Sequence, residues 1–202
     1  MSITAVRAYL AQFGLDSKVL EFPVSSATVE LAAEAAGVIP ARIAKSLSFK
    51  VDGEAILIVT AGDAKVDNAK FKAAFHTKAK MLTPDEVTEM IGHAIGGVCP
   101  FGIKEGVKVY LDESMKRFDS VFPAAGSSNS AIELTCDQLE QVAQNHGDRE
   151  QQHGFGDGAF CQISIHYAPP GCRISCVFWK KLFDRVLTGH RTTPELPAEA
   201  VC

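Results

Sequence analysis

Three groups of residues in this 202-residue chain have types and spacings suited to chemistry. Lys45 stands between the apolar Ile43-Ala44 and Leu47, where a strand is about to begin. A lysine there is either a solvated side chain whose stem covers apolar surface or, with its head turned into a pocket, a point charge for phosphate or carboxylate oxygen. The second group is His93-Ala94-Ile95-Gly96-Gly97-Val98-Cys99-Pro100-Phe101-Gly102, with three glycines and a proline in its last seven residues. Such a backbone occupies conformations that side chains forbid and leaves peptide groups open to a ligand, although a tight interstrand turn would use the same residues. The third, Gly126-Ser127-Ser128-Asn129-Ser130, offers small polar groups and amides that suit an anion or a ribose, or else forms a plain loop.

Other chemistries find less support. Six cysteines are too sparse for a disulfide scaffold, and no CxxC occurs. Cys172 and Cys176 with the scattered His153, His166 and His190 lack the paired spacing of a structural zinc site, so no metal and no cofactor is expected. Twenty Lys plus Arg against twenty-four Asp plus Glu leave a net charge of −4, without a global positive field for nucleic acid. Any RNA contact must be local, and DNA is not expected as a partner. One local group exists: Lys65, Lys70, Lys72, Lys78 and Lys80 fall within sixteen residues, either as a solvated helix face or as a grip on a nucleic acid stem. The longest apolar run, Ala55 to Val59, is far short of the roughly 20 residues of a membrane span, and the first residues lack a signal-peptide pattern. A cytoplasmic protein without membrane contact is expected.

The elements that must position these groups follow from periodicity and caps. Ile3, Val6, Tyr9, Leu10 and Phe13 recur at helical spacing between Ser2 and Gly14. An extended piece near 19–22 precedes a helix read over Ser25 to Gly37, and Pro40 opens a short turn. Lys45 to Val51 alternates, Asp52-Gly53 supplies a primed turn, and Glu54 to Thr60 returns, which predicts a β-hairpin. Asp67 can cap a helix bearing Phe71, Ala74 and Phe75, and Thr83-Pro84-Asp85-Glu86 combines a capping box with proline at the first helical position. Strands are expected over 107–111, 121–124 and 132–134, then a helix capped by Thr135 with Gln138. Hairpins interrupted by helices, without βαβ alternation, argue for an α+β domain around a mostly antiparallel sheet. Beyond about Gln144 the pattern breaks, and the one amphipathic stretch there is Ile174 to Leu187.

Taken together, Lys45, Gly96-Gly97-Val98-Cys99-Pro100-Phe101-Gly102 and Gly126-Ser127-Ser128-Asn129 resemble the YbaK-type aminoacyl-tRNA deacylases, relatives of the bacterial prolyl-tRNA synthetase editing domain. The resemblance spans roughly residues 1–143, through Ile132-Glu133-Leu134-Thr135. It implies an α+β editing domain with a partly barrel-like sheet surrounded by helices, and it leaves 144–202 as an atypical extension without assigned function. It also implies trans-editing: hydrolysis of the ester on tRNA mischarged with a small amino acid, with the tRNA acceptor end as partner and a synthetase as a conditional one.

By the same resemblance Lys45 matches the family's functionally important lysine and Gly96 to Pro100 its Gly-x-x-x-Pro loop at the amino-acid pocket; from there Lys45, Gly96 and Gly97 are read as catalytic, and Val98, Cys99, Pro100, Gly126, Ser127, Ser128 and Asn129 as substrate-binding. His93 joins the substrate-binding set, with a proton shuttle as one reading of it, although the family's catalysis is implied to lean on backbone groups and the substrate's ribose hydroxyl. Cys99 reads as a pocket-wall residue, because no base adjoins it in sequence. A second reading keeps the fold as a non-catalytic tRNA-end or nucleotide-binding module, and a third gives the extension a regulatory role.

Overall fold

The computed structural model describes residues 2–143 together with 160–161 and 164–165, all within one unit spanning Met1–His166. The expected helices form where their caps put them. Helix α1 runs Ile3–Ala11 and buries Val6 and Leu10. Ser2 precedes it, but only its carbonyl serves the first turn, accepting from the Ala5 and Val6 N–H groups. Helix α2 covers Val29–Ala36, four residues later in its start than the sequence suggested. Thr28 rather than Ser25 takes the extended cap conformation and accepts from the Leu31 N–H, and Gly37 ends the helix at φ +68°.

Helix α3, Asn68–Phe75, is capped by Asp67, which accepts from the Ala69 and Lys70 N–H groups. The Thr83–Glu86 capping box starts α4, Pro84–Glu86. It widens at once into a π turn, Val87–Ile91, closed by Gly92 at φ +90°. Helix α5, Cys136–Ala143, begins with the expected reciprocal pair: Thr135 N–H donates to Gln138 and Gln138 N–H donates to Thr135. The Tyr9 hydroxyl donates to the Val142 carbonyl at 2.6 Å and joins α1 to α5.

Strands β2, Ile43–Val51, and β3, Glu54–Ala61, form the predicted hairpin. Asp52 and Gly53 both have positive φ in the turn between them, as a primed turn requires. The main sheet has the order β6-β2-β3-β5-β8, with β5 at Lys108–Asp112, β6 at Phe122–Pro123 and β8 at Phe160–Cys161. Its β2–β3 ladder is antiparallel over eight pairs, whereas β2–β6, β3–β5 and β5–β8 are parallel. Strand β1, Val19–Glu21, pairs antiparallel with β7, Ser130–Ile132, which lies two residues earlier than expected. Antiparallel bridges Val121↔Leu134 and Ala124↔Ala131 carry β6 onto the β7 segment, so the sheet curls into a half-barrel with helices around it.

The hydrophobic run Ala55–Val59 belongs to β3, which is buried on both faces. Leu57, Val59 and Ala61 pack with α1 and α5, and Ile56 and Ile58 pack with Phe49 and Phe71. From beyond residue 143, β8 lies on the β5 edge and β9, Ser164–Ile165, pairs with β4, Lys65–Val66. Buried Asp112 accepts there from the Ser164 N–H at 3.0 Å and the Ser164 hydroxyl at 2.6 Å. The amphipathic stretch Ile174 to Leu187 lies outside the described residues. No described helix is long and apolar enough to cross a membrane.

Candidate functional site

Lys45 sits near the start of β2, paired across the ladder with Thr60. Its ammonium donates to the carbonyls of Gly62 at 2.8 Å and Ala64 at 2.5 Å, in the turn after β3. That turn is held in its own right, because Arg117 makes a two-pronged pair with Asp63 at 3.0 and 2.5 Å. Burial lowers the Lys45 pKa from its ordinary value and Lys65 adds to the lowering, against the opposing pull of the Asp63 and Glu30 carboxylates. A lysine has three donors, and two are committed to the turn.

An open cleft of about 150 Å³ adjoins Lys45. Its walls come from the segment before α2 (Ser26, Ala27, Thr28) and α2 itself (Val29, Ala32), from β2 (Ile43, Ala44, Lys45, Ser46), from the glycine loop (Gly96, Val98), and from β6, β7 and their bridge (Phe122, Ala124, Ser130, Ala131). The Ser46 hydroxyl is buried without a hydrogen-bond partner among the described residues. A buried hydroxyl left open costs free energy unless something in the cleft completes it. Arg42 braces the Phe122 wall, lying 5.1 Å from the ring centroid while its Nε donates to the Ser120 carbonyl at 3.1 Å.

Of the residues expected at the site, Lys45, Gly96 and Val98 line the cleft. Gly97 stands just behind it, packed backbone to backbone. A Cβ built there would lie 2.9 Å from Gly126 C and from Ser127 N and Cα. Gly97 thus lets the second and third sequence groups touch, which spacing alone could not show. Gly126, at φ +88°, is itself closed in by Val6, whose Cγ2 would lie 2.6 Å from an added Cβ.

The polar groups of the third segment are used internally. Asn129 donates from its side chain to the Phe22 carbonyl at 3.0 Å, and the Ser128 carbonyl accepts from the Ser26 N–H at 2.7 Å. The Ser127 hydroxyl donates to the Ser130 hydroxyl at 2.7 Å. These bonds fix the Ser25–Ala27 stretch against the loop, so the segment shapes the cleft from behind, and Ser130 is its residue in the wall.

His93, Cys99 and Pro100 are buried beneath the glycine loop and do not line the cleft. His93 Nε2 lies 3.0 Å from the Phe101 carbonyl and 3.7 Å from Cys99 Sγ. A carbonyl only accepts, so Nε2 carries the hydrogen and is no base for the thiol. Burial pushes the Cys99 thiol up to about 12. An imidazole thus lies near the thiol across the fold, but with Nε2 protonated and the thiol pushed up the pair is not arranged as a base and its nucleophile.

Ser26, Thr28 and Ser46 are lining residues that the sequence reading did not single out, whereas Ser130 closes the third group named there. Ser26 and Thr28 were absorbed into the expected helix start, and Ser46, the direct neighbour of Lys45, was the one with a usable signal.

Residues 24–142 match the family model described as aminoacyl-tRNA editing domain. The uncharacterized protein YwhH of Bacillus subtilis (strain 168) is 57% identical over 144 residues, covering 71% of this chain and 92% of YwhH. The proline–tRNA ligase of the same organism is 36% identical over 73 residues, which are 36% of this chain and 13% of the ligase. A crystal structure of a candidate trans-editing enzyme for prolyl tRNA synthetase superposes with a TM-score of 0.65 at 32% identity, covering 70% of this chain and 90% of that one.

Proposed function

Since the chain belongs to the aminoacyl-tRNA editing domain family, we propose that it is a trans-acting deacylase that hydrolyses the ester of tRNA mischarged with a small amino acid. The observation that carries this reading is the convergence of Lys45, the open Ser46 hydroxyl, Gly96 and Val98 on one cleft. An aminoacyl ester is already activated, so its hydrolysis needs a positioned water and stabilisation of the developing oxyanion. Water adds to the ester carbonyl, the acyl–oxygen bond breaks, and the ribose oxygen leaves with a proton.

Lys45 directs its remaining N–H at the terminal phosphate or the ester carbonyl. The carbonyls of Gly62 and Ala64 keep its head from swinging away. The Ser46 hydroxyl and the glycine-loop backbone orient the amino acid and the water. Ala32, Ile43, Phe122, Ala124 and Ala131 bound the acyl side. A space of about 150 Å³ is the size that accepts benzene in an engineered cavity, which favours a small acyl group over a bulky one. A methylene is worth only about 1–3 kcal/mol of discrimination during charging, which is why a size-selective second site is useful.

The deciding experiment incubates the full chain with a panel of tRNAs charged with Ala, Ser, Cys, Thr and Pro and follows loss of the ester. Turnover confined to the small residues is expected. Binding of the panel without any ester loss would instead select the non-catalytic tRNA-end module.

A further inference from the structure

We propose that Lys65, Lys70, Lys72, Lys78 and Lys80 form a basic track leading away from the cleft, and that its occupant is the double-stranded acceptor stem of tRNA. The inference builds on the deacylase reading of the cleft, but it concerns a surface outside it.

The charge there is lopsided. Between residues 64 and 80 stand five lysines and one acid, Asp67, in a chain whose net charge is −4. The Asp67 carboxylate accepts from the Ala69 and Lys70 N–H groups at the start of α3, which leaves it little reach toward lysine heads. A face that merely keeps a helix in water mixes both signs of charge, and this one does not. All five lysines are exposed. Among the described residues no carboxylate pairs with Lys72, Lys78 or Lys80. Lys70 donates to the Ser164 carbonyl at 2.9 Å.

The mounting is firm and begins beside the turn that holds Lys45. Phe71 anchors α3, with ring centroids 5.0 Å from Phe49 and 4.6 Å from Phe75, so the lysines project from a fixed base. At one end, the Ala64 carbonyl that holds Lys45 is followed directly by Lys65. At the other, the Lys80 carbonyl accepts from the Lys50 N–H at 2.9 Å, and Leu82 N–H donates to the Ser48 carbonyl at 3.1 Å. Lys45 to Lys50 along one strand spans roughly 17 Å. The segment that bears the five lysines is therefore fastened near both ends of β2, beside Lys45 at one and Lys50 at the other. A polyanion whose end enters the cleft must lay its next phosphates somewhere, and a duplex carries them at a density that a group of exposed lysines can neutralise.

The test measures binding of deacylated tRNA to the full chain between 0.05 and 0.3 M salt. It compares the parent with the triple variant Lys72→Gln, Lys78→Gln, Lys80→Gln and with the control Lys18→Gln, Lys104→Gln. Each lost phosphate contact removes about 0.7–0.9 from the slope of log K against log salt. The triple variant should thus lose about 2–3 from the slope and about ten- to a hundredfold in affinity near 0.1 M salt, with its melting temperature and the control unchanged. Equal affinity and slope for triple variant and parent, an equal loss in the control, or a parent that binds anionic phospholipid vesicles but not tRNA would each overturn the proposal. Deacylated tRNA has no ester to cleave. A parent that binds it through these lysines yet hydrolyses no mischarged tRNA would leave the track standing and refute the deacylase reading.

Discussion

Placing a single methyl group at Gly97 should separate catalysis from folding. In Gly97→Ala the new Cβ would meet Gly126 C, Ser127 N and Ser127 Cα, each at 2.9 Å. Ordinary carbon contacts lie near 3.5–4.0 Å, so the overlap is about 0.6 Å or more. All three atoms are backbone, and no rotamer change relieves them. Overpacking of this kind costs about 1–3 kcal/mol, which for a chain of this length lowers the melting temperature by about 2–12 °C. The relief available is for the two loops to part by about half an ångström, and Gly96 and Val98 in the cleft wall then move with the first of them. A displacement approaching 1 Å can cost about a hundredfold in rate, so deacylation should fall about ten- to a hundredfold while the protein still melts cooperatively.

Gly106→Ala is the companion. Its φ of +84° imposes left-handed strain of about 1–2 kcal/mol, but nothing lies within 4 Å of the added Cβ. It should cost similar stability with unchanged kcat/KM. The assays are scanning calorimetry and initial rates on one mischarged tRNA. Parental stability and rate in Gly97→Ala, or equal rate losses in both variants, would refute the steric account.

Lys45→Ala should reduce deacylation by about a hundredfold or more. It should also cost about 1–3 kcal/mol in thermal unfolding, because the Gly62 and Ala64 carbonyls lose a charged donor. Cys99, buried with its thiol pushed up to about 12, should resist iodoacetamide at pH 8 by peptide mass spectrometry, and Cys99→Ser should keep its activity. Glu86 is held down at about 2 by the Thr83 N–H and Lys50, so its contribution is complete above the unfolded value near 4.5 and fades as pH falls toward 2. The stability gap between the parent and Glu86→Gln, read from urea melts, should accordingly narrow from pH 5 to pH 2. Truncation after Ala143 should leave a chain that deacylates but unfolds more easily by about 2–4 kcal/mol, since Asp112 loses both hydrogen bonds from Ser164. An insoluble or inactive truncation would make the extension part of the working fold.

What was legible in the sequence was what neighbouring residues decide. The Asp52-Gly53 turn, the Thr83–Glu86 and Thr135–Gln138 boxes and the Asp67 cap depend on a few adjacent positions, and each forms as read. The α2 start did not, because Ser25, Ser26 and Thr28 are all acceptable caps and the choice among them was made by Ser128, which claims the Ser26 N–H from across the fold. Parallel partners such as β3–β5 also left no local trace. At the site, Lys45 and the glycine loop could be picked out by type. That Gly97 makes room for Ser127, that His93 faces Cys99 and that Ser46 is left open are all facts about distant segments meeting.

The curled sheet has a consequence for the timing of synthesis. β1 waits for β7, more than a hundred residues later, and β2 waits for β6 before its second edge is covered. The cleft takes walls from residues 26–32, 43–46, 96–98 and 122–131. A ribosome must therefore deliver nearly the whole domain before the site is complete, and until then the hairpin made early exposes an apolar central strand. A chain that stops before Ala131 lacks the last wall of the cleft and the partner of β1, so the complete site appears only when both have been made.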